Sequence, residues 1–402
     1  MRAFVITGPG KSEVIEVDPP VARAGEVVVD VERAGVCGTD MEFYSGAMAY
    51  LASGDAKYPI RIGHEWCGVV SAVGEGVSPE WIGRRVTGDT MLGCGRCRLC
   101  RSGRQHTCPD RYEIGIRRGW PGALAEQLPV PVSALLPLPD AVDATLGALV
   151  EPGGTARRAV QALDQAWASF GPGDPGAGLA GSGVPELGSS GVGVSVSDSA
   201  GSGSGSDSGD PASGKPVLVM GPGTIGLLVA MFAAARGIDV HLLGADPGSL
   251  EFARSLGFEQ VWTHDTLPSV PFDAIVDATN AVELPAFAID RVEPGGRVVY
   301  IGLSGEPSLI DTRRAVLKDL TVVGVLSASG GLADTIEAYA SGAVNPRPLV
   351  AETIGLDEVA DVLAGHHRDT ANSGRAGTDH RRTVAAGERP GAGPKILINP
   401  RG

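Results

Sequence analysis

Cys94, Cys97, Cys100 and Cys108 stand in the run GCGRCRLCRSGRQHTC, a C-x2-C-x2-C-x7-C spacing. Thiolates this close in sequence can converge on one tetrahedral ion about 2.3 Å from each sulfur. With every position filled by protein, such a site is structural. Two other readings stay open. One is a pair of disulfides, disfavoured where thiols stay reduced. The other is an iron–sulfur cluster, because Pro109 follows Cys108 as a proline follows the last ligand of some cluster runs.

A second set is more dispersed. Cys37 opens CGTD after a strand-like run, His64 lies in GHE, and Glu151 precedes Pro152. Singly, each has a plain structural explanation: a small buried thiol, a core histidine, a surface acid. Together they suggest a second ion with three protein ligands, Cys37, His64 and Glu151, and one open position. An open position suits a Lewis acid that lowers the pKa of an alcohol. Hydride would then pass from the carbinol carbon to C4 of a nicotinamide.

Gly221, Gly223 and Gly226 form G-x-G-x-x-G with Thr224 and Ile225, between the apolar run PVLVM and a helix-like segment. The first glycine permits a tight turn. The second admits a pyrophosphate, and the third lets helix pack on strand. The unpaired amides of the helix start face the phosphates. The usual ribose-selecting acid falls near Gly244, with Asp246 two residues later. No Arg or Lys stands between His241 and Glu251, so NAD is favoured and NADP stays open.

The positioning elements follow from texture. Short β-type runs at 26–33, 68–73 and 84–87 predict a strand-rich first domain over 1–155. Residues 156–167 are helical in composition. From 216 onward, strands at 216–220, 239–243, 272–277, 297–301 and 321–325 alternate with helices at 224–236, 250–256 and 282–289. This is an α/β pattern implying a doubly wound parallel sheet over 215–325. Residues 326–402 return to shorter elements and end in a strand at 394–398. Two polar stretches, 171–214 and 368–393, are predicted to be disordered insertions, lacking apolar periodicity.

The chain has 402 residues, 43% hydrophobic and 20% charged, with net charge −14. That is the composition of a soluble globular protein with two substantial cores. The acidic balance argues against nucleic acid or an anionic membrane as main partner. No apolar run reaches the roughly 20 residues of a membrane span. MRAFVITGPGK reads as a strand and turn rather than a signal peptide, so the expected compartment is the cytoplasm.

CGTD, GHE, the four-cysteine run, GALAE (122–126), VEP (150–152) and GPGTIG occur in the order seen in zinc-dependent medium-chain alcohol dehydrogenases. The chain resembles that family, in its polyol, sugar and cyclitol branch, over nearly its whole length except the two polar stretches. The resemblance implies a GroES-like catalytic domain, a Rossmann domain and a cleft between them. It implies two zinc ions per chain, with Cys37 and His64 as catalytic-site ligands. Glu151 stands where one branch has cysteine and the polyol branch has glutamate. Glu65 resembles the neighbouring glutamate that exchanges with a ligand, and Thr39 the hydroxyl that takes the substrate proton. Thr155 resembles the residue beside the nicotinamide, and Asp40 one that orients the histidine. Residues 321–328 resemble the sheet edge that mediates homodimers, themselves sometimes paired into homotetramers.

Departures also bear on function. Glu42 replaces the histidine that commonly passes the proton to solvent. Gly153 and Gly154 stand where larger residues are common, which predicts a more open nicotinamide wall. Cys67 fits no ligand role. The expected reaction is interconversion of a secondary alcohol (polyol, sugar, cyclitol or amino-cyclitol) and its ketone with NAD or NADP. Alternatives are a threonine-type amino-alcohol dehydrogenase and a non-catalytic zinc-stabilised nucleotide-binding protein. The latter predicts spoiled ligands at 37, 64 or 151, and all three are intact. A zinc-free quinone reductase would lack the cysteine lobe.

Overall fold

The structure, a computed structural model, describes residues 1–170, 216–365 and 395–402. The two predicted insertions, 171–214 and 368–393, lie outside the described residues.

In the N-terminal part, strand β1 (Glu26–Gly35) pairs antiparallel with β2 (Glu65–Val73). Between them runs helix α1 (Gly38–Ser45). Inward-facing Val27, Val29 and Val31 alternate with more exposed residues, the period-2 pattern of a strand with one buried face. A seven-stranded sheet forms around this pair. Its order runs from Val350–Ile354 through Lys395–Ile398, β1 and β2 to Arg85–Gly88 and Leu135–Pro137, and Gln127–Pro131 pairs with the free length of β1. The C-terminal strands therefore complete a sheet begun more than 300 residues earlier. Phe4, Phe43, Trp66, Leu124 and Leu128 fill its core.

Helix α2 (Val150–Phe170) then leads out of this domain. It begins six residues before the predicted 156, so Glu151 lies in its first turn. Six parallel strands follow: β3 (Pro216–Met220), β4 (Asp239–Leu243), β5 (Val261–Trp262), β6 (Phe272–Asp277), β7 (Val292–Tyr300) and β8 (Thr321–Gly324). Their order is β5-β4-β3-β6-β7-β8, the doubly wound Rossmann arrangement. Helices α3 (Thr224–Ala234) and α4 (Pro247–Ser255) cross over between the first strands. Helix α5 (Leu332–Ala340) packs on α2. Val217, Val219, Leu228, Val276 and Val299 share one core with Val160 and Leu163 of α2.

Besides α2, β7 and α4 begin earlier than predicted, at Val292 and Pro247, and two further elements differ. β5 escaped the sequence reading, because two residues cannot display a period. The predicted helix at 282–289 is Leu284–Arg291, shifted because Pro285 takes the first turn, where a missing N–H costs nothing. Among the described residues no helix is long and apolar enough to cross a membrane.

Candidate active site

The β1–β2 register sets the centre of the site. Gly35 lies opposite Glu65, so Cys37 beyond the end of β1 meets His64 before the start of β2. Cys37, His64 and Glu65 bring one ligand atom each within 4.8 Å of one another. Leu397 of the last strand lies opposite Gly35, which carries Lys395 to the same place. The Lys395 Nζ stands 2.6 Å from Glu65 Oε1, with both side chains buried. A Cβ on residue 35 would sit 1.9 Å from Glu65 Oε2, so only glycine leaves room for this carboxylate. Lys395 was not singled out from the sequence. Its sole signal was the strand pattern that ends the chain.

Asp40 lies in the first turn of α1 and is fully buried. One of its oxygens accepts from the Cys37 amide at 2.9 Å, and the other stands 3.9 Å from His64 Nδ1. Burial raises the Asp40 pKa. Burial also opposes a charge on His64, yet Cys37, Asp40 and Glu151 around it raise its pKa well above the usual imidazole value.

Glu151 stands outside the closest three-residue set, across the cleft on α2. It is largely buried, and its carboxylate has no hydrogen bond to another described residue. Burial pushes its carboxyl up to about 7, against the pull of His64. A carboxylate this buried is stabilised by a proton or a nearby cation. Thr39 follows Cys37 by two residues in α1, and Glu42 lies one turn further along. Thr155 lies one helical turn after Glu151 on the same face of α2.

The expected open wall at Gly153 and Gly154 is not found. A Cβ at 153 would meet the Tyr339 hydroxyl at 2.2 Å, and one at 154 would meet Ala328 at 2.9 Å. The volume that larger side chains would fill is taken by α5 and the segment before it.

The four lobe cysteines also converge, all within 4.8 Å. Cys97 and Cys108 sulfurs are 3.8 Å apart, and Cys94 and Cys100 sulfurs 4.0 Å. Four sulfurs about 2.3 Å from a tetrahedral centre stand about 3.8 Å from one another. A disulfide needs about 2.05 Å, so that reading fails for these free cysteines. A multi-iron cluster would spread its thiolates over several metals. Cys67 is fully buried beside Ala148 and Leu397, as a small core residue.

The glycine loop lies at the carboxyl end of β3. Gly221 adopts φ +86°, and a Cβ at 226 would stand 1.9 Å from the Gly221 carbonyl. Gly223 caps α3, and Thr224 and Ile225 form its first turn. Gly244 is required by packing, since a Cβ there would meet Pro222 at 2.7 Å. Asp246 spends one oxygen on helix capping, accepting from the Ser249 amide at 2.7 Å, while its side chain remains exposed. The nearest following arginine, Arg254, donates to the Val261 carbonyl.

Comparison with known proteins agrees with this architecture. Residues 23–140 match the alcohol dehydrogenase GroES-like domain, and residues 224–341 match the zinc-binding dehydrogenase domain. An L-threonine 3-dehydrogenase of Rhizobium rhizogenes is 25% identical over 396 residues, covering 94% of this chain and 98% of that protein. An L-threonine 3-dehydrogenase of Saccharopolyspora erythraea is 28% identical over 337 residues, covering 81% and 83%. An alcohol dehydrogenase from Escherichia coli, crystallised with NADH, shares the fold with TM-score 0.76 at 23% identity over 99% of both chains. The first matched region contains both cysteine-bearing clusters and the second opens on the dinucleotide loop, so the chain belongs to the zinc-dependent medium-chain alcohol dehydrogenases.

Proposed function

We propose that this dehydrogenase interconverts a secondary alcohol and its ketone, the alcohol being a polyol, sugar, cyclitol or amino-cyclitol. Cys37, His64 and Glu151 would hold the catalytic zinc, and Cys94, Cys97, Cys100 and Cys108 the structural one. The observation that carries the reading is buried His64, whose Nδ1 has no hydrogen-bond partner, beside Cys37 and near enough to Glu151 for each to influence the other's charge. Glu65 already has the Lys395 ammonium at 2.6 Å, whereas burial pushes the Glu151 carboxyl up to about 7, so a cation placed between it and His64 would be favoured. An imidazole, a thiolate and a carboxylate suit zinc.

When bound, the zinc would polarise the substrate oxygen and the nicotinamide would accept hydride. The protein's own groups do the rest. Thr39 receives the hydroxyl proton, and Glu42 carries it outward in place of histidine. Asp40 orients His64 through its imidazole. Thr155 lines the nicotinamide side of α2. Gly221, Gly223 and the first turn of α3 (Thr224, Ile225, Gly226) seat the pyrophosphate. Gly244 and Asp246 favour NAD, because an exposed carboxylate repels a 2′-phosphate and among residues 242–250 there is no cation to hold one.

A threonine-type amino alcohol is the second reading, supported by the relatives named L-threonine 3-dehydrogenases. A screen at 340 nm of polyols, sugars, amino-cyclitols and amino alcohols, with both cofactors, separates the two. Glu151→Ala should lower turnover about a thousandfold or more, the scale of losing several kcal/mol of Lewis-acid assistance. It should retain its fold and one zinc per chain. Activity persisting with two zincs bound would refute the ligand assignment.

A further inference from the structure

We propose that Asp89 is a positioning residue that ties the four-cysteine lobe to the wall of the cofactor cleft. The proposal rests on the dinucleotide reading of the glycine loop. Asp89 follows the strand Arg85–Gly88 and is buried. Its carboxylate accepts three hydrogen bonds: from the Met91 amide at 2.9 Å, from Gln105 Nε2 at 2.9 Å and from Ser329 Oγ at 2.8 Å. The three donors belong to different parts of the molecule. Gln105 lies within the lobe between Cys100 and Cys108. It packs so tightly there that a Cβ on residue 93 would sit 2.7 Å from both Cys100 Sγ and Gln105 Cβ. Ser329 lies 240 residues along the chain from Asp89, in the segment that follows β8.

That segment occupies the carboxyl edge of the parallel sheet, the same edge as Gly221–Gly226, where dinucleotides bind. It is held from the other side as well. Arg158 of α2 donates to the carbonyls of Leu326 and Ser327. Arg158 follows Glu151 and Thr155 at i+7 and i+3, so it extends the face of α2 that lines the cleft. Ser327 adopts φ +64°, a left-handed conformation uncommon for a residue with a Cβ, and its hydroxyl bonds to both Ser329 Oγ and the Ser329 amide. The segment's course is thus set by polar contacts to two other elements. Beside the link lies a cavity of about 470 Å³, lined by Asp89, Cys100, Gln105, Gly330 and Leu332. With open space there, hydrogen bonds to Asp89 carry the connection more than packing does.

The measurement is the dissociation constant for NADH, read by nicotinamide fluorescence, beside the melting temperature. While Ser327 keeps its bond from the Ser329 amide, Ser329→Ala removes the bond between the domains together with the local Ser327 hydroxyl contact. It should weaken NADH binding about tenfold, the scale of one hydrogen bond to a charged group, with the melting temperature unchanged. Asp89→Ala should match it, the double variant should be no weaker than Asp89→Ala alone, and Asp89→Asn, which keeps an acceptor for Ser329, should recover most of the loss. Cys97→Ser, which opens the lobe, should weaken NADH binding in the wild-type background and not further in Ser329→Ala. NADH binding by folded Ser329→Ala within twofold of wild type, or additive losses in the double variants, would overturn the proposal. A wild-type protein that binds neither NADH nor NADPH would instead sink the dinucleotide reading beneath it.

Discussion

Glu151 and His64 face one another across the cleft, and their protonation opposes metal binding. The folded metal-free protein holds the Glu151 proton up to about 7, whereas an unfolded glutamate releases it near 4.5. Between those values the unfolded state binds fewer protons, so stability falls as pH rises. His64 acts in the same direction: its raised pKa stabilises the folded state below the ordinary imidazole value, and that stability is lost as pH climbs through the raised one. Zinc requires both groups deprotonated, so it replaces the missing stabilisation. The rise in melting temperature on adding zinc should therefore grow from pH 5 to pH 8, and Glu151→Gln should flatten that growth. A zinc effect independent of pH would contradict the ligand assignment. That Cys37 and His64 would meet was legible from residue type and order. Lys395 was not, because its link to Glu65 spans 330 residues.

At the scale of elements, two short structures carry the chemistry. The lobe has one α-helical turn, Arg98–Arg101, and one 3-10 turn, Gln105–Thr107, so its order is expected to come from the four thiolates. Cys97→Ser should lower the melting temperature by about 5 °C or more, and an unchanged melting curve would count against a structural metal. The second element is the turn from β3 into α3. Gly226→Val would force a side chain into the Gly221 carbonyl, 1.9 Å from the position of the first added carbon. It should weaken NADH binding about a hundredfold while a substrate-independent zinc assay still counts two ions; undiminished NADH affinity would remove the loop from the cofactor site. Both elements were readable from local spacing, since a tetrahedral site and a phosphate-binding turn are made by neighbours in sequence. The supposed opening at Gly153 and Gly154 was misread for the converse reason. The side chains filling that space, Tyr339 and Ala328, lie more than 170 residues away.

For the whole molecule, β8 is, among the described residues, an edge of the sheet without a further strand, with Val322 45% exposed, near Val316 and Leu317 at 78% and 85%. An apolar edge strand calls for a cover. A second copy pairing edge to edge would supply one, and a dimer is the assembly we expect. Val322→Lys should shift the mass measured by light scattering from dimer to monomer; a wild-type monomer would dismiss this interface. By itself the sequence pointed to the chemistry: which thiolates could share an ion, which glycines could admit a phosphate, and that strand and helix alternate after residue 216. These follow from bonding rules acting over a few residues. Tertiary structure alone decided that Lys395 neutralises Glu65, that Glu151 is left largely buried with no hydrogen bond to another described residue, and that Asp89 reaches Ser329. Each depends on strands and helices from distant parts of the chain closing on one volume, and no local pattern encodes who will be neighbours there.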